Sequence, residues 1–409
     1  MKSKLAMRHR AWSILAAGIL FQGLVTGIMQ NCMGVLYAAI CQDLGFSMGS
    51  LSLFSSIRGI SMAIAMPVTI SYLTKKNFRK RQAAFAAAAV FCFMVMAVFH
   101  HLWQWYVLAV FSGAAGSAVM IVPTMRQMNH WFIRRRSFAI GLVAASTGLF
   151  GAIGNPICSW LTDAFGWRTA ILALGIFILA TAVPLAYFQM DLRPEDCNTK
   201  PYGWYEQPEE KKQAAIPTAY RRPQLVFAFC LLLVSTTGLL SQYNSHLATF
   251  GVSQGLALSA GASITACAML GNVFFKVILG ALGDRKGVYT QLTTGLLFSA
   301  SCFLTFFLVP LFPNLIYLGG FLNGAGMAVG ATTVADITPL LYTGQEYERK
   351  YSRLFALGGF VGFVGFSCIG YSYDLFGSYY PSFAAGLMIC ALAGLSMVML
   401  RKESKEQIL

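Results

Sequence analysis

Thr162-Asp163-Ala164-Phe165-Gly166 closes one long apolar run, and Tyr373-Asp374-Leu375-Phe376-Gly377 closes another 211 residues later. A second pair keeps nearly the same interval, since Leu73-Thr74-Lys75-Lys76 and Leu282-Gly283-Asp284-Arg285 lie 209 residues apart. A near-constant offset marks a duplicated unit. Duplicated membrane units of this kind rock against each other around a site near the bilayer midplane.

Composition places the chain in lipid. Its 409 residues are 57% hydrophobic and 11% charged, with a mean hydropathy of +0.62, which leaves too little polar surface to keep a soluble fold wet. A spanning helix needs roughly 20 mostly apolar residues. Twelve such segments are read near 12–37, 50–73, 83–99, 105–129, 137–161, 169–189, 223–245, 257–282, 288–309, 315–341, 353–373 and 380–400. The longest hydrophilic interruption, Asp191 to Arg222, holds Arg193-Pro194-Glu195-Asp196 and Glu209-Glu210-Lys211-Lys212 and splits the spans six and six. The expected fold is an all-α membrane protein of twelve transmembrane helices in two pseudo-symmetric six-helix bundles. These are 1–190 and 223–409, joined by a cytoplasmic central loop, 191–222.

Charge distribution sets the expected orientation. With both termini inside, the cytoplasmic side carries 26 of the 30 Lys and Arg residues, and basic loops stay in the cytoplasm. The expected location is the inner (plasma) membrane. The net charge of +15 therefore records topology and not nucleic-acid binding, because the basic residues sit in short clusters between apolar runs. The N-terminal Lys2, Lys4, Arg8 and Arg10 precede an apolar stretch without a small-residue cleavage pattern, so a first spanning helix is expected there and not a signal peptide. Ten cysteines are scattered without Cys-x-x-Cys or Cys/His ligand spacing, which points to no metal and no cofactor.

Two motifs carry a resemblance. Gly280-Ala281-Leu282-Gly283-Asp284-Arg285-Lys286-Gly287 resembles the loop signature of the major facilitator superfamily. Its glycines allow close helix approach and a tight turn, while its acid can accept from helix N-termini and basic side chains. Gly280, Asp284, Arg285 and Gly287 are the candidate gating residues; the first-half copy has Lys75 where the acid would stand. Trp131-Phe132-Ile133-Arg134-Arg135-Arg136 is followed by Gly141, Gly148, Gly151, Gly154, Pro156 and Gly166-Trp167-Arg168. This is similar to the oxalate/formate antiporter and monocarboxylate porter branch. The resemblance implies a carboxylate carrier working by antiport or symport, with a cation in helix eight, eight positions before the loop acid, as anion anchor. That position is Lys276. Proton-coupled members place an Asp four residues earlier, where this chain has Asn272, and the helix-eleven lysine of some oxalate exchangers has no counterpart here.

Buried charge leads to the same residues. A charged side chain at the middle of a membrane helix costs roughly 2.5–3.5 kcal/mol on insertion scales, and Arg58 and Lys276 are the two basic residues placed deep in spans. Arg126 is expected to snorkel. No acid is read as comparably deep, since Asp336 is five residues from a helix end and Asp284 belongs to the loop. A carboxylate cargo would supply the missing counter-charge. Polar neighbours that could line the path are Gln22, Gln30 and Asn31 on span one, Gln242, Tyr243 and Asn244 on span seven, and Asn323 on span ten; such side chains also glue helices together. His246 reads as a solvated interfacial histidine.

The leading function is therefore secondary active transport of a small organic anion, mono- or dicarboxylate, by alternating access. Its partners are the lipid bilayer and a counter-anion or proton. With no deep acid to take a proton, exchange is the expected mode. Efflux of amphiphilic metabolites or drugs is the alternative, and a non-transporting nutrient sensor the second. No nucleophile/base pair or phosphate loop marks an enzyme.

Overall fold

In hydrocarbon every backbone N–H and C=O must be satisfied within the segment, so runs this apolar fold as helices. The computed structural model describes residues 2–73, 75, 77–133, 135–204, 220–342 and 344–405. Lys76, Arg134 and the Glu209-Glu210-Lys211-Lys212 part of the central loop lie outside the described residues. The first spans are α1 (Arg10–Leu44), α2 (Met48–Leu73), α3 (Phe78–Val98) and α4 (Leu102–Trp131). Next comes a 52-residue helical stretch, Phe138–Gln189. At 1.5 Å per residue it would reach about 78 Å, more than twice the roughly 30 Å hydrocarbon core. Gly166 divides it into α5 (138–165) and α6 (167–189), with φ 80° and ψ 157°, a conformation essentially reserved for glycine. Its repeat partner Gly377 also has positive φ, 64°, so both copies of the opening motif end a helix with a left-handed glycine. The remaining spans are α7 (Pro223–Ser253), α8 (Leu258–Lys286), α9 (Val288–Phe307), α10 (Leu315–Leu341), α11 (Arg349–Phe376) and α12 (Tyr380–Ser404). With that division, twelve spans are found among the described residues of this helical, multi-pass membrane protein.

Among the described residues, three spans are discontinuous. α1 passes through a π-helical stretch, Gly23–Gln30, and a turn at Asn31-Cys32 before resuming at Met33. α4 stops at Ser117 and restarts at Ile121. α7 tightens into a 3₁₀ turn, Tyr243–His246, between its two helical parts. The break in α4 frees carbonyls that must find donors. Gln22 supplies them, donating from Nε2 to Val119 O (3.0 Å) and Met120 O (3.2 Å) as well as to Thr124 Oγ1 (2.8 Å). Gln22 is thus helix glue.

The chain forms two compact units, Met1–Leu44 with Ile60–Lys211 and Gly45–Gly59 with Lys212–Leu409. The first contains a hydrophobic cluster of Ile14, Leu15, Trp131, Phe132 and Val143. The second has an aromatic core of Phe250, Phe303, Phe306, Tyr379 and Phe383. The opening turns of α2 group with the second unit for a local reason. Asp374 accepts the Met48 and Gly49 amides at 2.9 and 2.7 Å, where the unsatisfied N–H groups and the helix dipole favour a carboxylate. Further along, Ser56 Oγ lies 2.6 Å from Ser367 Oγ and donates to the Phe363 carbonyl.

Within the second unit α8 and α10 approach to backbone contact. A Cβ on Gly271 would meet Phe321 O at 2.0 Å, one on Gly320 would meet Ile264 O at 2.8 Å, and one on Gly324 would meet Asn272 N at 2.2 Å.

Candidate functional site

Lys276 sits on α8 four residues after Asn272, one turn along the same face. It opens onto a cavity of about 210 Å³ lined by α8, α9 and α10, whose polar members are Lys276, Asp284, Gln291, Thr332 and Asp336. Lys276 and Asp336 are half-buried and Asp284 is exposed at the mouth. Gln291 Nε2 donates to Asp336 Oδ2 at 2.7 Å, and Thr332 lines the cavity one turn earlier on α10. Among the described residues Lys276 forms no ion pair.

Asp336, five residues from the end of α10, shares a cavity with Lys276 because α10 packs on α8. Gln291 and Thr332 were not singled out. The signal for Thr332 was present, since it lies four residues before Asp336 and shares its helix face. Gln291, three residues after the start of α9, carried none.

The other candidates separate into groups. Gln30 and Asn31 lie at the break in α1; Asn31 Nδ2 donates to Thr147 O on α5 at 3.2 Å, and Gln30 Oε1 has no donor. Asn272 and Asn323 lie at the α8–α10 contact, 4% and 2% exposed, each with a side-chain oxygen that accepts nothing. Tyr243 is at the break in α7, but its hydroxyl is committed to Ser382 O at 2.7 Å and its ring packs on Phe303 and Phe383. Arg58 is half-buried on α2 and interacts with a neighbouring group. Arg126 is exposed. His246 is buried, not solvated: its ring lies against Phe366, with Nε2 3.2 Å from the Phe366 carbonyl. In the loop motif the Gly287 amide closes α8 on Gly283 O at 2.9 Å, Gly280 lies in open space, and Arg285 is exposed.

A larger cavity, about 480 Å³, opens among α7, α11 and α12. Leu239, Phe360, Val361, Val364 and Ile369 line it, with no charged side chain. A groove of that chemistry suits acyl chains, so the polar cavity at Lys276 is the candidate site for a charged cargo.

Known proteins of similar sequence and structure agree with this architecture. The human protein named monocarboxylate transporter 11 is 25% identical over 279 residues, covering 68% of this chain and 57% of its own length. The agnestins efflux protein AgnL12 of Paecilomyces divaricatus is 23% identical over 234 residues, covering 56% of this chain and 50% of its own. The chain therefore spans only about half to six-tenths of these relatives. The crystal structure of the nucleoside transporter NupG superposes with a TM-score of 0.66 at 13% identity, covering 96% of this chain and 98% of that one, which establishes a shared fold. The Major Facilitator Superfamily matches over residues 19–312 and 255–408. With long apolar helices, discontinuous spans and matches that together run through nearly its whole length, this chain belongs to the Major Facilitator Superfamily of transporters.

Proposed function

We propose that this protein carries a small organic anion, a mono- or dicarboxylate, across the inner (plasma) membrane by alternating access, with both termini cytoplasmic and with Lys276 as the anion anchor. The observation that carries this reading is a lysine within a long apolar helix that lines a polar cavity; ionisable residues within spanning helices mark substrate and ion pathways. Support comes from the relative named a monocarboxylate transporter and from the breaks in α1 and α7, since discontinuous helices form the substrate sites of many secondary transporters. Asn272 and Asn323 would donate to the cargo, as would Gln30 and Asn31 at the break in α1. Arg58 and Tyr243 would shape the path, and Gly280, Asp284, Arg285 and Gly287 would form the gating turn. The halves that work against each other are 1–190 and 223–409, linked by 191–222, and the coupled species is a counter-anion or a proton.

A thermal-shift panel of formate, lactate, oxalate, succinate and larger aromatic acids on detergent-purified protein tests the reading. The effective anion should lose roughly 10- to 150-fold in affinity in Lys276→Gln, the equivalent of a charged hydrogen bond worth about 1.5–3 kcal/mol. Lys276→Arg should retain part of it. Wild-type affinity in Lys276→Gln removes Lys276 from the site. The relative named as an efflux protein favours a second reading, export of an amphiphilic metabolite. It predicts stabilisation by amphiphiles and none by small acids. Uptake of the labelled ligand into proteoliposomes separates both from a sensor.

A further inference from the structure

We propose that the cavity among α7, α11 and α12 is a binding site for one acyl chain of a bilayer phospholipid, drawn from the leaflet on the side of the α11–α12 turn, and that this site reads the chain and not the headgroup. The wedge has a structural origin. α11 packs on α7 through glycine, since a Cβ on Gly358 would meet Val234 Cγ1 at 2.5 Å and one on Gly365 would meet Leu239 Cδ2 at 1.9 Å. α12 is tied to α7 separately, by the Tyr243 hydroxyl that donates to Ser382 O at 2.7 Å. Two helices held on one neighbour by separate contacts leave a groove between them. Leu239 and Tyr243 form its floor, with Val364 and Cys368 on one wall and Ala385 and Ile389 on the other.

The groove opens toward lipid. α2 takes the face of α11 that carries Phe363, Ser367 and Asp374, whereas Val361, Val364 and Cys368 lie on the other side of the helix and are exposed. The hydroxyls at the floor are already used, Tyr243 on Ser382 O and the Ser382 hydroxyl on Tyr379 O, both at 2.7 Å. No charged side chain lines the space. Walls of this kind give water too few partners to hold it, and an unfilled volume of about 480 Å³ would forfeit dispersion contacts along its whole lining. The apolar filler that a bilayer supplies is an acyl chain.

Size and depth select one chain from one leaflet. A methylene takes up about the room of a water molecule, roughly 30 Å³, so 480 Å³ accepts a chain of roughly sixteen carbons. The lining runs from Pro381 to Ile389 on α12 and from Phe360 to Phe376 on α11, about 12 Å and about 24 Å at the helical rise. These lengths bracket the roughly 15 Å of hydrocarbon that one leaflet contributes, and both begin at the turn of residues 377–379. The turns that follow α7, α9 and α11 on that side, residues 254–257, 308–314 and 377–379, contain no Lys or Arg. With no fixed cation there to pair with a phosphate, selection falls to the chain. Hydrocarbon has no hydrophobic preference for the groove over bulk lipid, so the margin comes from packing and is modest.

The test maps lipid contacts on the whole protein. It is reconstituted into phosphatidylcholine vesicles with a trace of phosphatidylcholine bearing a photoactivatable diazirine in a palmitoyl chain, irradiated, and its cross-links are located by peptide mass spectrometry. Labelling at Val364, Cys368 and Ala385 should exceed that at Leu297 and Leu304, which are exposed on α9, by about tenfold, the ratio that corresponds to ~1.4 kcal/mol of better packing. Ala385→Phe, which fills the groove, should bring the ratio to about one, whereas Ala384→Phe, on the adjoining exposed position outside the lining, should leave it as in wild type. Val364→Trp serves if Ala385→Phe fails to fold. A phosphatidylglycerol probe should give the same ratio, and added salt should not change it. Equal labelling of the two surfaces in wild type, or undiminished groove labelling in the folded filled variants, overturns the site. A ratio that follows the headgroup or collapses in salt overturns its reading of the chain. Displacement of the label by free decanoic acid assigns the groove to single-chain amphiphiles and overturns the phospholipid as occupant.

Discussion

Asp191 illustrates how much one side chain can tie together. It lies just beyond α6, its side chain is 8% exposed, and it accepts from Arg79, from Arg10 (2.5 Å) and from the Cys197 thiol (2.9 Å). Its backbone carbonyl takes the Gln127 amide and the Trp131 indole, both at 2.8 Å. Burial works to raise its pKa, but the hydrogen bonds from Arg79, Cys197 and Arg10 prevail and hold the carboxyl below the ordinary aspartate range. A depressed folded value means that this stabilisation is present above the unfolded pKa of about 3.9 and is lost as pH falls through the folded one. The thermal midpoint of purified protein should therefore drop as pH falls below about 4, and Asp191→Asn should flatten that dependence. Arg10 and Arg79 are about one-third exposed, so solvent screens both pairs and Asp191→Ala should cost only about 1–3 kcal/mol. An unchanged acid profile in Asp191→Asn would assign the acid sensitivity elsewhere. The arginines were legible in the sequence as members of basic clusters. Their convergence on one acid was not, because it joins residues up to 181 positions apart.

Among the helices the decisive contact is α8 against α10. Gly271 and Gly324 lie against backbone atoms of the facing helix, which cannot swing aside as a side chain would. Gly324→Ala should consequently destabilise the protein by about 1–3 kcal/mol or more, read as a lowered thermal midpoint. Gly394→Ala on α12, where a new Cβ meets nothing within 4 Å, should be neutral or slightly stabilising, as alanine favours helix by up to about 1 kcal/mol. Equal effects at both positions would refute the close-contact argument. The presence of the spans could be read directly because apolar length is a property of one segment at a time, but the first ends at Leu44 and not near 37, and the seventh at Ser253 and not near 245. The breaks in α1 and α7 could not. Gln30, Asn31, Tyr243 and Asn244 stood out only as polar residues, and nothing in their local pattern distinguishes a helix interruption from a polar face. That Asp336 shares a cavity with Lys276 was not legible either, because its surroundings are set by α8 and α9.

For the whole molecule, the near-constant offset between paired motifs was the most legible feature, and both copies of the longer motif end on a positive-φ glycine, Gly166 and Gly377. The α8–α10 contact has a further consequence, an electrical one. If Lys276 and Asp336 ride on helices locked backbone to backbone, the protein's own charges at the site move together, and the charge displaced per cycle is set by what is bound. Where the coupled species is a proton, a monocarboxylate with one proton is neutral, so its uptake into proteoliposomes should not respond to a potassium diffusion potential imposed with valinomycin. A dicarboxylate with one proton carries a net negative charge. An inside-negative potential of 100 mV should oppose its accumulation by roughly 2.3 kcal/mol, about fiftyfold at equilibrium. Voltage, which no substitution can mimic, thus becomes a ruler for counting the carboxylates on the cargo.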